Sequence, residues 1–129
     1  MVTSWEKNWQ KATALHRDGQ LAEAEVLYRS MLQQKAASDV AANLGALLRS
    51  QKRLDEAQQH YRWALQICPL NPSLLGNACN LLRDCGQAES TIPWLRQGLN
   101  QFPGEFSLRL GLGVSMQPPG ELVEAIDVL

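Results

Sequence analysis

Two segments of this sequence recur at a nearly fixed distance. Residues 43–49 read NLGALLR and residues 77–83 read NACNLLR, so an Asn, a small residue and Leu-Leu-Arg return 34 residues later. Residues 21–32, LAEAEVLYRSML, match residues 54–65, LDEAQQHYRWAL, at a distance of 33 residues. A period in this range is typical of repeat proteins, in which each repeat buries its apolar face against the next one.

The apolar residues within each repeat return every three or four positions, which is the period of an amphipathic helix. Leu44, Leu47 and Leu48 form one stripe, and no proline interrupts the chain between Val2 and Cys68. Each repeat is therefore predicted to be two helices joined by a tight turn. The predicted pairs are 5–17 with 21–34, 38–51 with 54–67, 72–85 with 88–101, and 105–117 with 121–129. The predicted turn residues are Gly19, Lys52, Gly86 and Gly120.

Pro93 falls early in a predicted helix, where its ring and its missing N–H disturb the helical hydrogen bonds. The cost is small in the first turn, because the N–H groups there have no partner within the helix. We therefore predict a late or distorted start to this helix, with Ser90 as its N-cap.

The pattern resembles the tetratricopeptide repeat (TPR) from about Trp5 to the end of the chain. The residues that carry this resemblance in the second repeat are Leu44, Gly45, Ala57, Tyr61, Ala64 and Pro69. A weaker match in the third repeat comprises Cys79, Gly86, Leu95, Gly98 and Pro103. The resemblance implies an all-α solenoid of stacked antiparallel helix hairpins, wound into a right-handed superhelix. One array would span residues 1–129, with units at about 5–37, 38–71, 72–104 and 105–129, the last of them incomplete.

The repeated positions also suggest how the helices pack. Gly45, Ala57 and Cys79 are small, which permits close approach of two helices. Tyr28, Tyr61 and Leu95 are expected to fill the space between one unit and the next.

The resemblance further implies that the first helix of each unit lines a concave groove. Carboxamides recur there, and a carboxamide both donates to and accepts from the backbone of an extended peptide. Arginines recur six positions later, and a guanidinium suits a carboxylate or phosphate. We therefore predict a groove that binds an extended, acidic peptide. Its predicted residues are Trp9, Gln10, Asn43, Arg49, Asn77, Asn80 and Arg83. The asparagines resemble the amide ladder in the repeats of O-GlcNAc transferases.

Less specific interpretations apply to the same positions. Asn and Arg on a helix face commonly remain solvated or pair within the helix, and Trp9 can be a packing residue of the first unit. Small Ala42, Ala46 and Gly76 are expected to leave room for a ligand, and His16 is expected to be exposed. Trp63 either covers a neighbouring helix or offers an exposed aromatic ring to a second partner.

Composition limits the class of partner and the compartment. The net charge is −1, which excludes a global basic field that would attract nucleic acid or anionic lipid. No apolar run reaches the roughly 18 residues that a membrane span needs, and residues 1–20 do not form a signal peptide. Three cysteines suit a reducing compartment. The expected location is the cytoplasm.

The sequence offers no constellation for catalysis, cofactor binding or metal binding. His16 and His60 fall on separate predicted elements, and Cys79 and Cys85 lack zinc spacing. Cys79 occupies a small-residue packing position. We therefore predict that the chain is not an enzyme, that it uses no cofactor or metal, and that it is a scaffold for protein or peptide partners.

Two alternative functions remain open. The chain could be the N-terminal recognition arm of a larger enzyme, such as a glycosyltransferase similar to the O-GlcNAc transferases. It could also be a self-assembly module, because an apolar stripe runs to its C-terminal end and would be uncapped in a solenoid. That stripe comprises Leu122, Val123, Ile126 and Leu129.

Overall fold

The structure is a computed structural model that describes residues 3–105 of the chain. These residues form six α-helices and contain no strand. The helices are α1 (Ser4–Arg17), α2 (Leu21–Gln34), α3 (Ser38–Ser50), α4 (Leu54–Ile67), α5 (Pro72–Asp84) and α6 (Ile92–Gln101). The first three predicted helix pairs and the all-α hairpin architecture are confirmed. The fourth predicted pair, with Gly120 and the C-terminal stripe, lies outside the described residues.

The chain divides into two compact units that are larger than the predicted repeats. The first unit is Met1–Pro69 and the second is Leu70–Leu129. The first unit contains two helix hairpins, α1 with α2 and α3 with α4, and α2 also packs against α3. The second unit contains the third hairpin, α5 with α6. The prediction of a single array over the whole chain stays a prediction.

The three turns inside the hairpins share one hydrogen-bond pattern. Their central residues are in the left-handed region, with φ of 83° at Gly19, 63° at Lys52 and 75° at Gly86. In each turn the next residue donates its N–H back to the carbonyl five residues earlier, as Gln20 does to Leu15 at 2.9 Å. This is the Schellman arrangement that ends a helix. The predicted turn residues at 19, 52 and 86 are thus confirmed.

Local capping fixes where two of the first helices begin. The Thr3 hydroxyl accepts from the N–H of Glu6 at 3.1 Å at the start of α1. The Asn71 carboxamide accepts from the N–H groups of Ser73 and Leu74 at 2.8 and 3.2 Å at the start of α5. Pro72 is the first residue of α5, where its fixed φ suits the helix and no N–H is needed.

The start of α6 is distorted, as Pro93 predicted. One turn of 3-10 helix spans Ala88–Thr91, and α6 begins only at Ile92. The N-cap is Thr91, so the prediction of Ser90 is wrong by one residue. The reason is that Ser90 is used inside the 3-10 turn, where its N–H donates to Gln87 at 3.1 Å.

The predicted filler side chains are buried. Tyr28, Tyr61 and Leu95 are each at most 2% exposed. The ring of Tyr61 lies directly against Gly45, and its hydroxyl donates to the carbonyl of Ala42 at 3.3 Å. The glycine therefore makes room for the Tyr61 ring, because any side chain at this position would overlap it.

Candidate functional site

Side chains from two successive repeats meet at the hydroxyl of Tyr28. His16 Nδ1, from α1, is 3.0 Å from this hydroxyl. Asn43 Nδ2, from α3, donates to it at 3.3 Å. The Trp9 ring lies 6.3 Å from the Tyr28 ring, centroid to centroid, at a tilt of 51°. The first unit thus brings two predicted site residues, Trp9 and Asn43, to the same buried tyrosine.

The bond to Tyr28 orients the carboxamide of Asn43. Because Nδ2 is the donor, the amide nitrogen faces Tyr28 and the carbonyl oxygen Oδ1 is directed elsewhere. The Tyr28 hydroxyl also carries a proton, which it donates to His16 Nδ1 in the neutral imidazole tautomer that holds its own proton on Nε2. Asn43 remains half-buried rather than sealed in the core.

Two expectations about neighbouring positions are wrong. His16 is half-buried and bonded to Tyr28 instead of exposed. Ala42 is 1% exposed and cannot leave room for a ligand, because Tyr61 packs over this part of α3. Trp9 is half-buried against Tyr28, which agrees with its interpretation as a packing residue.

The second unit holds three of the predicted site residues on α5. Asn77, Asn80 and Arg83 are all half-buried. Arg83 Nη2 donates to Asn80 Oδ1, one helical turn away. This is the pairing within a helix that the less specific interpretation anticipated. A Cβ placed on Gly76 would meet no atom within 4 Å, so space is open at that position.

The remaining two predicted site residues lie on the first unit. Gln10 is exposed on α1, and Arg49 is half-buried in the last turn of α3.

Burial changes the titration of the two histidines. It lowers the pKa of His16, which packs against Tyr28. It also lowers the pKa of His60, even though the bond of Nε2 to the carbonyl of Ala41 at 2.7 Å acts in the opposite direction. The charge of Arg29 lowers the pKa of His60 further. Both side chains therefore favour the neutral form in the folded protein.

Stability is expected to decrease as the pH falls from 7.5 to 5.5. A histidine whose folded pKa is depressed binds fewer protons in the folded state, so protonation of the unfolded chain below about pH 6.5 favours unfolding. Urea denaturation at both pH values measures the change, and the double variant His16→Gln, His60→Gln should reduce it. An unchanged pH dependence in this variant would assign the effect to other groups.

The cysteines show no feature of a nucleophile or a metal site. Cys79 is 1% exposed, and burial raises the pKa of its thiol to about 12. Cys68 is also buried, with a raised pKa, and Cys85 is half-buried. Within residues 3–105, no three His, Cys, Asp or Glu side chains cluster closely enough to hold a metal ion.

A charge network between α2 and α4 was not predicted. Arg53 Nη1 contacts Glu25 at 2.6 Å, and Arg53 Nη2 contacts Glu56 at 2.6 Å. Arg29 also contacts Glu25, at 2.9 Å, and lies 3.9 Å from Glu56. The bonds from Arg53 hold the pKa of Glu25 below its ordinary value. The sequence does show that Glu25 and Arg29, and likewise Arg53 and Glu56, lie within one helical turn of each other. It does not show the ion pair between Arg53 and Glu25, which joins two repeats.

Trp63 lines a cleft between α2 and α4 of about 540 Å³. Its ring is 39% exposed and lies 5.9 Å from the His60 ring, centroid to centroid. The cleft is lined by Arg29, Leu32, Gln33, Leu44, Glu56, Gln59, His60 and Trp63. Trp63 is thus a partly exposed wall of this cleft, and its contact with a second partner stays a prediction.

Solved structures resemble this one over nearly the whole chain. The structure of YrrB, a TPR protein with an unusual peptide-binding site, matches with a TM-score of 0.74 at 18% identity and covers 99% of this chain and 72% of YrrB. A tetratricopeptide repeat protein from Parabacteroides merdae gives 0.76 at 22% identity, with 98% of this chain covered. A mutant of MamA gives 0.70 at 17% identity and covers 98% of this chain and 74% of MamA.

The chain has the tetratricopeptide repeat fold. The repeat architecture inferred from the sequence is therefore confirmed. The chain spans 52% of the length of the Parabacteroides protein. No protein-family model and no curated protein matches the sequence.

No helix within residues 3–105 combines the length and the apolar character needed to cross a membrane.

Proposed function

We propose that this chain is a non-catalytic protein-interaction module whose first-helix face binds an extended, acidic peptide. The observation that carries the proposal is the fixed orientation of Asn43. Its nitrogen is held by a tyrosine that is 0% exposed, so the carboxamide is oriented, and its oxygen Oδ1 would accept a hydrogen bond from a peptide N–H. Pre-orientation of this kind reduces the entropy lost on binding.

The second unit offers the same residue types in the equivalent positions of its own repeat. Asn77 corresponds to Asn43, and it is half-buried in the same way. Gly76 leaves open space beside it, which would admit the backbone of a peptide.

Arginines supply the preference for acidic peptides. Arg49 and Arg83 occupy equivalent positions near the ends of α3 and α5. Asn80 accepts a hydrogen bond from Arg83 and so restrains its guanidinium. A guanidinium carries five N–H donors in a planar arrangement that suits a carboxylate. Protein-interaction function also agrees with the peptide-binding site of YrrB, whose fold this chain shares.

The test uses a displayed library of random 12-residue peptides, from which binders are selected and measured by fluorescence anisotropy. We expect acidic peptides to be selected. Their affinity should fall at least tenfold, about 1.4 kcal/mol, in the double variant Asn43→Ala, Asn77→Ala. The reversal Arg49→Glu, Arg83→Glu should abolish binding of the acidic peptides even at low salt, where attraction between opposite charges is screened least.

Tyr28→Phe is the matched control for Asn43→Ala. It removes the same hydrogen bond, together with the bond to His16, at a cost of about 1–2 kcal/mol of stability, but it leaves the carboxamide in place. Peptide affinity should therefore change less in Tyr28→Phe than in Asn43→Ala. Selection of neutral or basic peptides, or full affinity in both double variants, would contradict the proposal.

A further inference from the structure

The side of the first hairpin that does not face the second hairpin carries a mostly apolar groove, here called the α1–α2 face. It encloses about 470 Å³ and is lined by Lys11 and Leu15 on α1 and by Ala22, Glu23, Val26, Leu27 and Ser30 on α2. Val26 is 70% exposed. A β-branched apolar side chain with this exposure, next to two half-buried leucines, forms a patch that water solvates poorly.

The second hairpin shows what the same face accommodates. The residues that follow Lys11, Glu23, Val26, Leu27 and Ser30 by 33 positions are Leu44, Glu56, Gln59, His60 and Trp63. These five residues form one wall of the cleft between α2 and α4. The opposite wall is an edge of α2 that carries Arg29, Leu32 and Gln33. In the second hairpin, therefore, this face lies opposite a helix edge with the pattern Arg-x-x-Leu-Gln.

Charge and polarity indicate that the α1–α2 face suits a helix edge of the same kind. Arg29 on the helix edge lies 3.9 Å from Glu56 on the second hairpin. Glu23 holds the position of Glu56 on the first hairpin, so it can meet an equivalent cation. Gln59 and His60 are replaced by Val26 and Leu27. Leu44 and Trp63 are replaced in turn by Lys11 and Ser30, so the apolar part of the α1–α2 face is concentrated at Val26 and Leu27, where covering a leucine is favourable.

We propose that the α1–α2 face docks an amphipathic helix of a partner protein that presents an arginine followed three residues later by a leucine. The arginine pairs with Glu23, and the leucine packs on Val26 and Leu27. This is helix-in-groove recognition. It uses none of the residues assigned to the peptide-binding face, so it is independent of the proposed function.

The probe is a synthetic peptide with the sequence of residues 21–34, which carries the Arg-x-x-Leu-Gln edge. An isolated helix of this length is marginally stable in water. A staple between its positions 26 and 30 keeps it helical, and these positions lie outside the Arg-x-x-Leu-Gln edge. We expect saturable binding to the full chain by fluorescence anisotropy.

Two surface variants locate the site. Val26→Asp and Glu23→Lys should each weaken binding of the stapled peptide at least tenfold, about 1.4 kcal/mol. Asp55→Lys is the matched control, since it also reverses an acidic residue in the first turn of a second helix, but it lies outside the α1–α2 face. It should leave the affinity unchanged. Circular dichroism of each variant confirms that the helices are retained.

A charge exchange distinguishes the proposed ion pair from general charge effects. A peptide with Glu in place of its arginine should bind the wild-type chain weakly and recover affinity for Glu23→Lys. The proposal is overturned if the peptide shows no saturable binding up to about 1 mM, or if Val26→Asp and Glu23→Lys bind it as the wild type does. Self-association of the wild type that these two variants abolish would show that a second copy, not a partner protein, covers the face.

Discussion

Gly45→Ala is expected to lower the free energy of unfolding by about 3 kcal/mol, the upper part of the range for overpacked cores. A Cβ at this position would overlap the ring and hydroxyl of Tyr61. Tyr61 is 2% exposed and its hydroxyl is bonded to Ala42, so a displacement of its ring would disturb that bond and the surrounding close-packed core. Urea denaturation followed by circular dichroism measures the loss.

Gly76→Ala is the matched control for this substitution. Both glycines lie inside first helices, but a Cβ at Gly76 meets no atom within 4 Å. This variant should be more stable than the wild type by about 0.5–1 kcal/mol, because alanine is the better helix former.

A second substitution tests whether the overlap with Tyr61 causes the loss of stability in Gly45→Ala. Tyr61→Leu removes the ring that opposes the new methyl group. The double variant Gly45→Ala, Tyr61→Leu should therefore lose less stability than the two single variants together. Additive losses, or a Gly45→Ala protein of wild-type stability, would show that α3 and α4 do not approach as closely as described.

Tyr28→Ala is expected to destabilise the protein by about 3–5 kcal/mol, as large-to-small substitutions of buried aromatic residues do. Tyr28 is 0% exposed, and the rings of Trp9 and His16 both lie against it. Truncation would open a cavity between the first hairpin and α3, and it would remove the partner of Asn43. Peptide affinity should fall together with stability.

Tyr28→Phe separates the packing contribution from the polar one. The ring is retained, and the loss is limited to the bonds with His16 and Asn43, about 1–2 kcal/mol in total. The difference between Tyr28→Ala and Tyr28→Phe then measures the packing of the ring. Equal losses in the two variants would mean that the hydroxyl, not the ring, joins the repeats.

The structure shows where reasoning from spacing succeeds and where it fails. Lys52 was placed in a turn because it aligns with Gly19 and Gly86, and all three adopt the left-handed conformation. The burial of His16 was not predicted, since no local pattern links it to Tyr28, which lies 12 residues away in the next helix. A turn is a property of neighbouring residues, whereas this bond depends on how α1 and α2 are rotated against each other.

The ion pairs of Arg53 show the same difference between local and long-range contacts. Its contact with Glu56 lies within one turn of a helix, but its contact with Glu25 joins residues 28 positions apart. Ala42 shows a different error. Its small side chain was interpreted as open space for a ligand, but α4 covers it.

The sequence by itself determined the helix pairs, their turns, the residues that fill the core and the repeat that relates one hairpin to the next. Those features follow from a helical period, from small residues and from conformations of single residues, all of which the chain encodes locally. Only the tertiary structure decided which polar atoms meet: that Asn43 directs its nitrogen to Tyr28, that Arg53 joins two repeats, and that Val26 lies exposed in a groove. Such contacts depend on rotations and shifts of a few ångströms between helices, which close packing sets and residue spacing does not specify.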